Sequence, residues 1–225
     1  MIIVKLFKLL GFIVFLLAVS GCKPEEILLN VYSTDVVAAA DGELIQVPLT
    51  AKFSLFGDDD DKTLERVVEI TKGFLHKDTK FTRSKTDYSE VLVVETFIPM
   101  GKTSELSNFF SNSAALAYLE VIENKETSDF EITLLGSQSI EDLNRALKGL
   151  NLILGFELPA ANTTIRVISD SRKKIWIGAD AVFVSEKPYL YFEADLQRRD
   201  EVNVVYKGGA DSIWSGVSPV FYIKP

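Results

Sequence analysis

The chain has one cysteine, Cys22, and one histidine, His76, which removes most familiar site chemistry at once. Zinc sites draw on sets of Cys and His ligands, and a zinc protease helix needs the pair in HExxH, so neither can be assembled. His76 could still serve a Ser-His-Asp triad, but no G-x-S-x-G elbow presents a serine to it. No GxGxxG or Walker A loop is present to cradle phosphate. Just past an amphipathic stretch, His76 reads as a helix-end residue whose ring the dipole favours. Carboxylates and cations remain. Asp58-Asp59-Asp60-Asp61 could offer oxygens to Ca²⁺, but the EF-hand alternation is missing and neighbouring carboxylates in an extended run diverge, so a solvated helix start is expected. The 32 acidic residues supply many glycosidase-type pairs without singling one out, which leaves a carboxylate-dependent hydrolase as the enzymatic alternative. Arg172-Lys173-Lys174 beside Trp176, and Arg198-Arg199, are the basic clusters. Arg172, Lys173, Lys174 and Trp176 form the candidate binding set, for an acidic partner or for lipid head groups; the plainer account makes them solvated turn residues. No catalytic set, metal or cofactor is called for.

Cys22 gains meaning from what precedes it. Lys5 and Lys8 open the chain, Leu9 to Val19 form an apolar core, and Ser20-Gly21 lead into the cysteine. A positive start, a short apolar stretch and a small-residue exit are the layout of a secretory signal. A transmembrane anchor needs about 20 apolar residues, and this run reaches that length only by including both lysines. Val19-Ser20-Gly21-Cys22 resembles the lipobox of bacterial lipoproteins. That resemblance implies a diacylglycerol on Cys22, cleavage between Gly21 and Cys22, and acylation of the new amine. It implies no free thiol, hence no His-Cys nucleophile and no disulfide. By the enterobacterial sorting rule, Lys23 where an aspartate would favour retention in the inner membrane implies the outer membrane, periplasmic face.

Composition bounds the rest. Removal of residues 1–21 leaves about 200 residues, one large domain or two small ones. The formal charge of −8 becomes two units more negative when Lys5 and Lys8 leave with the signal. Such a surface excludes nucleic acid as a partner, since Lys and Arg must replace phosphate counterions there. It equally disfavours lying flat on anionic lipid, so bilayer contact is expected through acylated Cys22 alone.

The elements are read from periodicity. Residues 22–26 read as a polar tether and 27–225 as an α+β domain, with halves 27–112 and 113–225. Ile27 to Val37 reads as a strand, joined through Asp41-Gly42 to a second strand, Leu44 to Phe56, as a hairpin. Within that second strand Leu49, Ala51, Phe53 and Leu55 share one parity, and Pro48 places its part near an edge or a strand start. Leu64, Val67, Val68, Thr71, Phe74 and Leu75 recur at helical spacing. Strands over 79–84 and 90–99, a short helix around Leu106, Phe109 and Phe110, and strands over 114–123 and 130–135 come next. Ser139-Ile140-Glu141-Asp142 resembles a capping box for a second helix, with Ile140, Leu143, Ala146, Leu147 and Leu150 on its apolar face. Leu55-Phe56-Gly57 and Leu134-Leu135-Gly136 precede the two helices in similar settings, as a duplicated strand-strand-helix unit or as two ordinary strand-to-helix turns would. Beyond Pro159 the closely spaced strands and turns suggest a β-meander, including a turn at Gly178-Ala179-Asp180. The expected architecture is an antiparallel sheet with two main amphipathic helices packed on it.

The function these observations support is a lipid-anchored bacterial envelope protein, host- or prophage-encoded, with a non-enzymatic binding or structural role and an envelope protein as partner.

Overall fold

Strict alternation of apolar residues builds most of this molecule. In β1 (Pro24–Tyr32) Ile27, Leu29 and Val31 are fully buried, while the residues between them are more open. In β2 (Ile45–Leu55) Val47, Leu49, Ala51 and Phe53 are buried in the same rhythm. A strand with one apolar face must turn that face toward others like it. In the computed structural model, which describes residues 24–55, 61–85, 90–148, 158–208 and 211–225, these faces meet inside a barrel. The leader with Gly21 and Cys22, Phe56, Gly57, the aspartates at 58–60 and Leu150 lie outside the described residues.

The expectation of an α+β sheet carrying two helices is overturned: the described residues are mostly strand, 52% against 23% helix, and nine strands close into a ring. The further strands are β3 (Lys80–Lys85), β4 (Glu90–Gly101), β5 (Ala117–Asn124), β6 (Asp129–Gly136), β7 (Asn162–Ile168), β8 (Ile175–Val184), β9 (Lys187–Leu196), β10 (Glu201–Tyr206) and β11 (Phe221–Lys224). Around the ring they run β10-β7-β1-β2-β4-β5-β6-β11-β8 and back to β10. Two long strands make closure work. One edge of β4 pairs with β2 along its length, and the rest of its pairing is divided between β3 (residues 90–95) and β5 (Met100 and Gly101). Likewise β8 pairs fully with β9, and meets β11 at residues 176–178 and β10 at Phe183. The ring therefore closes with β3 and β9 left outside it as flaps. Its interior is one apolar cluster that includes Ile27, Met100, Leu119, Ile132, Ile165, Ile177 and Phe221, the packed filling that a small barrel requires.

The C-terminal strands are correspondingly not a meander. β7 lies parallel to β1, and β11 is inserted between β6 and β8. Gly178-Ala179-Asp180 is not a turn either, since β8 runs straight through it. The change of direction comes at Ala181, whose φ of 53° lies in the left-handed region. Before it Ile175, Ile177 and Ala179 face inward; after it Val182 and Val184 do.

Residues 33–40 are helix rather than the end of a strand: α1 (Ser33–Ala40) follows β1 directly. Asp41-Gly42 is accordingly no hairpin turn but the end of that helix. The Gly42 N–H donates to the Ala39 carbonyl at 3.1 Å and the Glu43 N–H to the Ala38 carbonyl at 3.0 Å, a Schellman closure around a glycine with φ of 101°. Eight residues would not hold a helix in water. α1 is held by burying Val36, Ala39 and Ala40 against the barrel interior. Pro48 sits in a strand flanked on both sides, but the β1–β2 ladder ends at the Leu29–Leu49 pair, so no β1 residue needs its missing N–H.

The two amphipathic helices exist, as α2 (Asp61–Lys72) and α4 (Gln138–Lys148), with the short α3 (Thr103–Phe110) between them in sequence. They do not share a sheet face. Leu143 and Leu147 of α4 are buried in a separate cluster with Leu116, against which Val67, Ile70, Phe74 and Leu75 pack, so the helices largely cover each other. Burying two leucines contributes about 1.5–3 kcal/mol apiece. The cap of α4 is Ser137 rather than Ser139: its hydroxyl oxygen accepts from the Ser139 N–H at 3.1 Å. The echo between the two halves stays local. After α2 the chain enters β3, outside the ring, whereas after α4 it passes a 3₁₀ turn (Leu158–Ala160) into β7, inside the ring.

Candidate functional site

The end of β1 and the end of β7 arrive side by side, because the two strands pair in parallel up to Tyr32 and Ile168. The segments that leave the two strands are therefore brought together: Ser33-Thr34 opening α1, and Asp170 to Lys173 leading to β8. Asp170 joins them. Its Oδ1 accepts from the Ser33 hydroxyl at 2.9 Å and from the Thr34 N–H at 3.0 Å, and its Oδ2 accepts from the Thr34 hydroxyl. Tyr32 at the N-cap position gives no side-chain cap, and the helix receives its capping carboxylate from a distant loop instead. Burial alone would raise the Asp170 pKa, but the hydrogen bonds from Thr34 and Ser33 outweigh it and hold the carboxyl below its ordinary value. Asp35 moves the other way, raised by burial and then by the Asp170 charge. Two carboxyls pushed apart can divide acid and base roles. Here three donors already occupy Asp170, and the arrangement is a cap.

Beside this cap lies an open cavity of about 350 Å³. Val37, Ile175 and Ile223 give it an apolar floor, Ser33 and Thr34 line one side, and Arg172 and Lys173 stand at its margin. The four residues singled out from the sequence are therefore divided. Arg172 and Lys173 line the cavity, both exposed. Lys174 turns to Asp195 on β9, with Nζ 3.0 Å from Oδ2. Trp176 leaves the turn altogether and folds over Gly178. A Cβ added at Gly178 would stand 2.5 Å from the indole ring and 3.1 Å from the Tyr191 hydroxyl, so glycine here answers to close approach rather than to a turn. Arg198-Arg199 occupies the tight turn before β10, with Arg199 at φ 76° and its N–H donated to the Ser169 carbonyl. Cys22 and Gly21 lie outside the described residues.

Sequence reasoning passed over Ser33, Thr34 and Asp170. The signal was there in part: Ser33-Thr34-Asp35 is a capping composition, set in a β-branched run that reads as strand. His76 comes after α2, packing edge-on against Phe97 at 5.3 Å with Nδ1 accepting from the Asp78 N–H at 3.3 Å. Among the described residues, no group of three or more His, Cys, Asp and Glu side chains is placed to hold a metal ion. Among them, too, no helix is long and apolar enough to cross a membrane. Comparison with protein families, curated proteins and solved structures finds no match to the chain.

Proposed function

We propose that the protein is a bacterial lipoprotein of the cell envelope, held by acyl chains on Cys22 at the periplasmic face of the outer membrane, and that its barrel serves a non-enzymatic binding role. The observation that carries this is the placement of the only cysteine directly after Val19-Ser20-Gly21, at the end of a short apolar run opened by two lysines. Each buried methylene of an acyl chain contributes about 0.8 kcal/mol, so three chains hold the protein without further contact to the bilayer.

The barrel adds a geometric consequence. β1 begins at Pro24, two residues after Cys22, so the residues expected as a tether are mostly strand. Two extended residues reach at most about 7 Å, which keeps the Pro24 end of the barrel close to the acylated cysteine. The cavity at Ser33 and Thr34 lies at the other end of the nine-residue β1, about 26 Å along the strand. Arg172 and Lys173 then point to a partner in the periplasm, not to head groups of the anchoring leaflet. The test is metabolic labelling with palmitate. The wild-type chain should carry label at Cys22 and fractionate with membranes, while Cys22→Ser should accumulate as unlabelled precursor. A serine variant cut and tethered like the wild type would overturn the proposal.

A further inference from the structure

The two strands outside the ring leave two free sheet edges among the described residues, and they differ in kind. β3 is guarded in the usual way, with Lys80, Arg83 and Lys85 along an almost wholly exposed strand. β9 pairs with β8 alone and carries Tyr189, Leu190 and Tyr191 in succession, with Leu190 92% exposed. Lys187 and Pro188 protect its start, and Glu193 and Asp195 put carboxylates on its far half, leaving the aromatic stretch between them bare. An edge with exposed aromatic residues and acidic rather than basic neighbours is a template for an added cationic strand.

The outer face next to this edge decides what strand would fit. Cross-strand pairs share a face, and the pairs Glu131–Tyr222, Tyr222–Gly178 and Gly178–Glu193 place these residues in one row over four strands. The adjoining pairs set Trp176 beside Asp195, and Asp180 beside Tyr191. The Tyr222 hydroxyl donates to Asp180 Oδ2 at 3.2 Å, and Glu131 accepts from the Asn124 amide at 3.0 Å, so both carboxylates are held by uncharged donors. Asp180 stands cross-strand from Tyr191 and Glu193 follows it on the same face of β9; burial and then the charges of Glu193, Asp180 and Asp129 raise the Tyr191 pKa. Two of the nearby lysines are engaged: Lys174 with Asp195, and Lys224 with the Thr127 carbonyl at 2.9 Å. The result is an aromatic floor of Trp176, Tyr191 and Tyr222 among carboxylates spread too widely to share one metal ion.

We propose that the β9 edge and the outer face of β11, β8 and β9 form a docking surface for an extended, lysine- or arginine-rich segment of another protein, added to the sheet as a strand beside β9. Main-chain hydrogen bonds to the edge supply affinity, while Asp180, Glu193 and the aromatic rings select cationic side chains on one face of the incoming strand. Charge complementarity also argues against a second copy, which would set acidic face against acidic face in a chain of formal charge −8. The surface is separate from the Arg172–Lys173 cavity and does not depend on acylation of Cys22.

The test uses the full processed chain and an eight-residue peptide of alternating lysine and valine, with its glutamate–valine counterpart as control. The lysine peptide should bind at low salt and protect β9 amides from hydrogen exchange; the glutamate peptide should do neither. Asp180→Asn with Glu193→Gln should weaken binding at least tenfold, whereas Glu65→Gln with Glu69→Gln, exposed carboxylates on α2, should change it less than twofold. Equal weakening by both pairs would reduce the effect to overall charge and overturn the proposal. Binding without protection of β9 amides would overturn it as well. So would sedimentation showing a dimer of the chain alone that Leu190→Lys dissolves, since the edge would then belong to a second copy.

Discussion

Asp170 accepts a hydrogen bond from the Ser33 hydroxyl at 2.9 Å across 137 positions of sequence, so the first helix of the barrel is capped by the loop after its seventh strand. Replacing a capping carboxylate by alanine costs about 1 kcal/mol. Asp170→Ala should therefore lower the urea midpoint with an unchanged slope. The pH dependence has a definite sign. A carboxyl held below its ordinary 3.8 in the folded state contributes stability above that value and loses it as pH falls through the folded pKa. Wild type should lose stability below about pH 4 more steeply than Asp170→Asn, in which that titration is absent.

Two left-handed positions should respond oppositely to exchange of glycine and alanine. Gly42, at φ 101°, has nothing within 4 Å of an added Cβ, so Gly42→Ala tests backbone strain alone and should destabilise by about 1 kcal/mol. Ala181, at φ 53°, already bears such strain, and Ala181→Gly should be neutral or stabilising by up to about 1 kcal/mol. Thermal unfolding of the two variants checks both signs. A loss at Ala181→Gly would show that the bend in β8 depends on the methyl group itself.

At alkaline pH the tyrosines should govern stability. Burial, then the Asp180 charge and the hydrogen bond to Asp180, push Tyr222 up to about 12 from the ordinary 10.0. A phenol with a raised folded pKa keeps its full contribution below pH 10 and loses it as pH rises through 12. Tyr222→Phe should flatten the fall in stability between these values. Absorbance titration of the folded wild type should show a phenolate step near 12 that the variant lacks.

Tyr206 provides the corresponding buried case. Its hydroxyl donates to the Val220 carbonyl, tying β10 to the start of β11 across the barrel end. Tyr206→Phe keeps the ring but leaves a buried carbonyl without that donor, at a cost of about 1–3 kcal/mol. Hydrogen exchange should show faster opening at β10 and β11 than at β2 and β4. Uniform loosening would mean that the contact does not localise stability.

The sequence alone determined the inward parity of Leu49, Ala51 and Phe53 in β2 and the presence of the two amphipathic helices, because alternation and helical spacing are local patterns. Ser33 to Val37 reads as strand because the branched residues around it outweigh the capping composition of Ser33-Thr34-Asp35. The deciding partner, Asp170, is supplied from beyond the middle of the sequence. The sequence could not show the ring. Alternation says that a strand has an inner face, not which strand lies at each edge, and here β1 takes β7 as its neighbour while β8 links β11 to β10. The basic cluster was visible as composition, but only the meeting of two strand ends set Arg172 and Lys173 on a cavity and sent Lys174 and Trp176 elsewhere. Periodicity fixes a residue's side of its own strand; tertiary pairing decides what stands opposite, because the hydrogen bonds of a sheet edge carry no sequence label of their own.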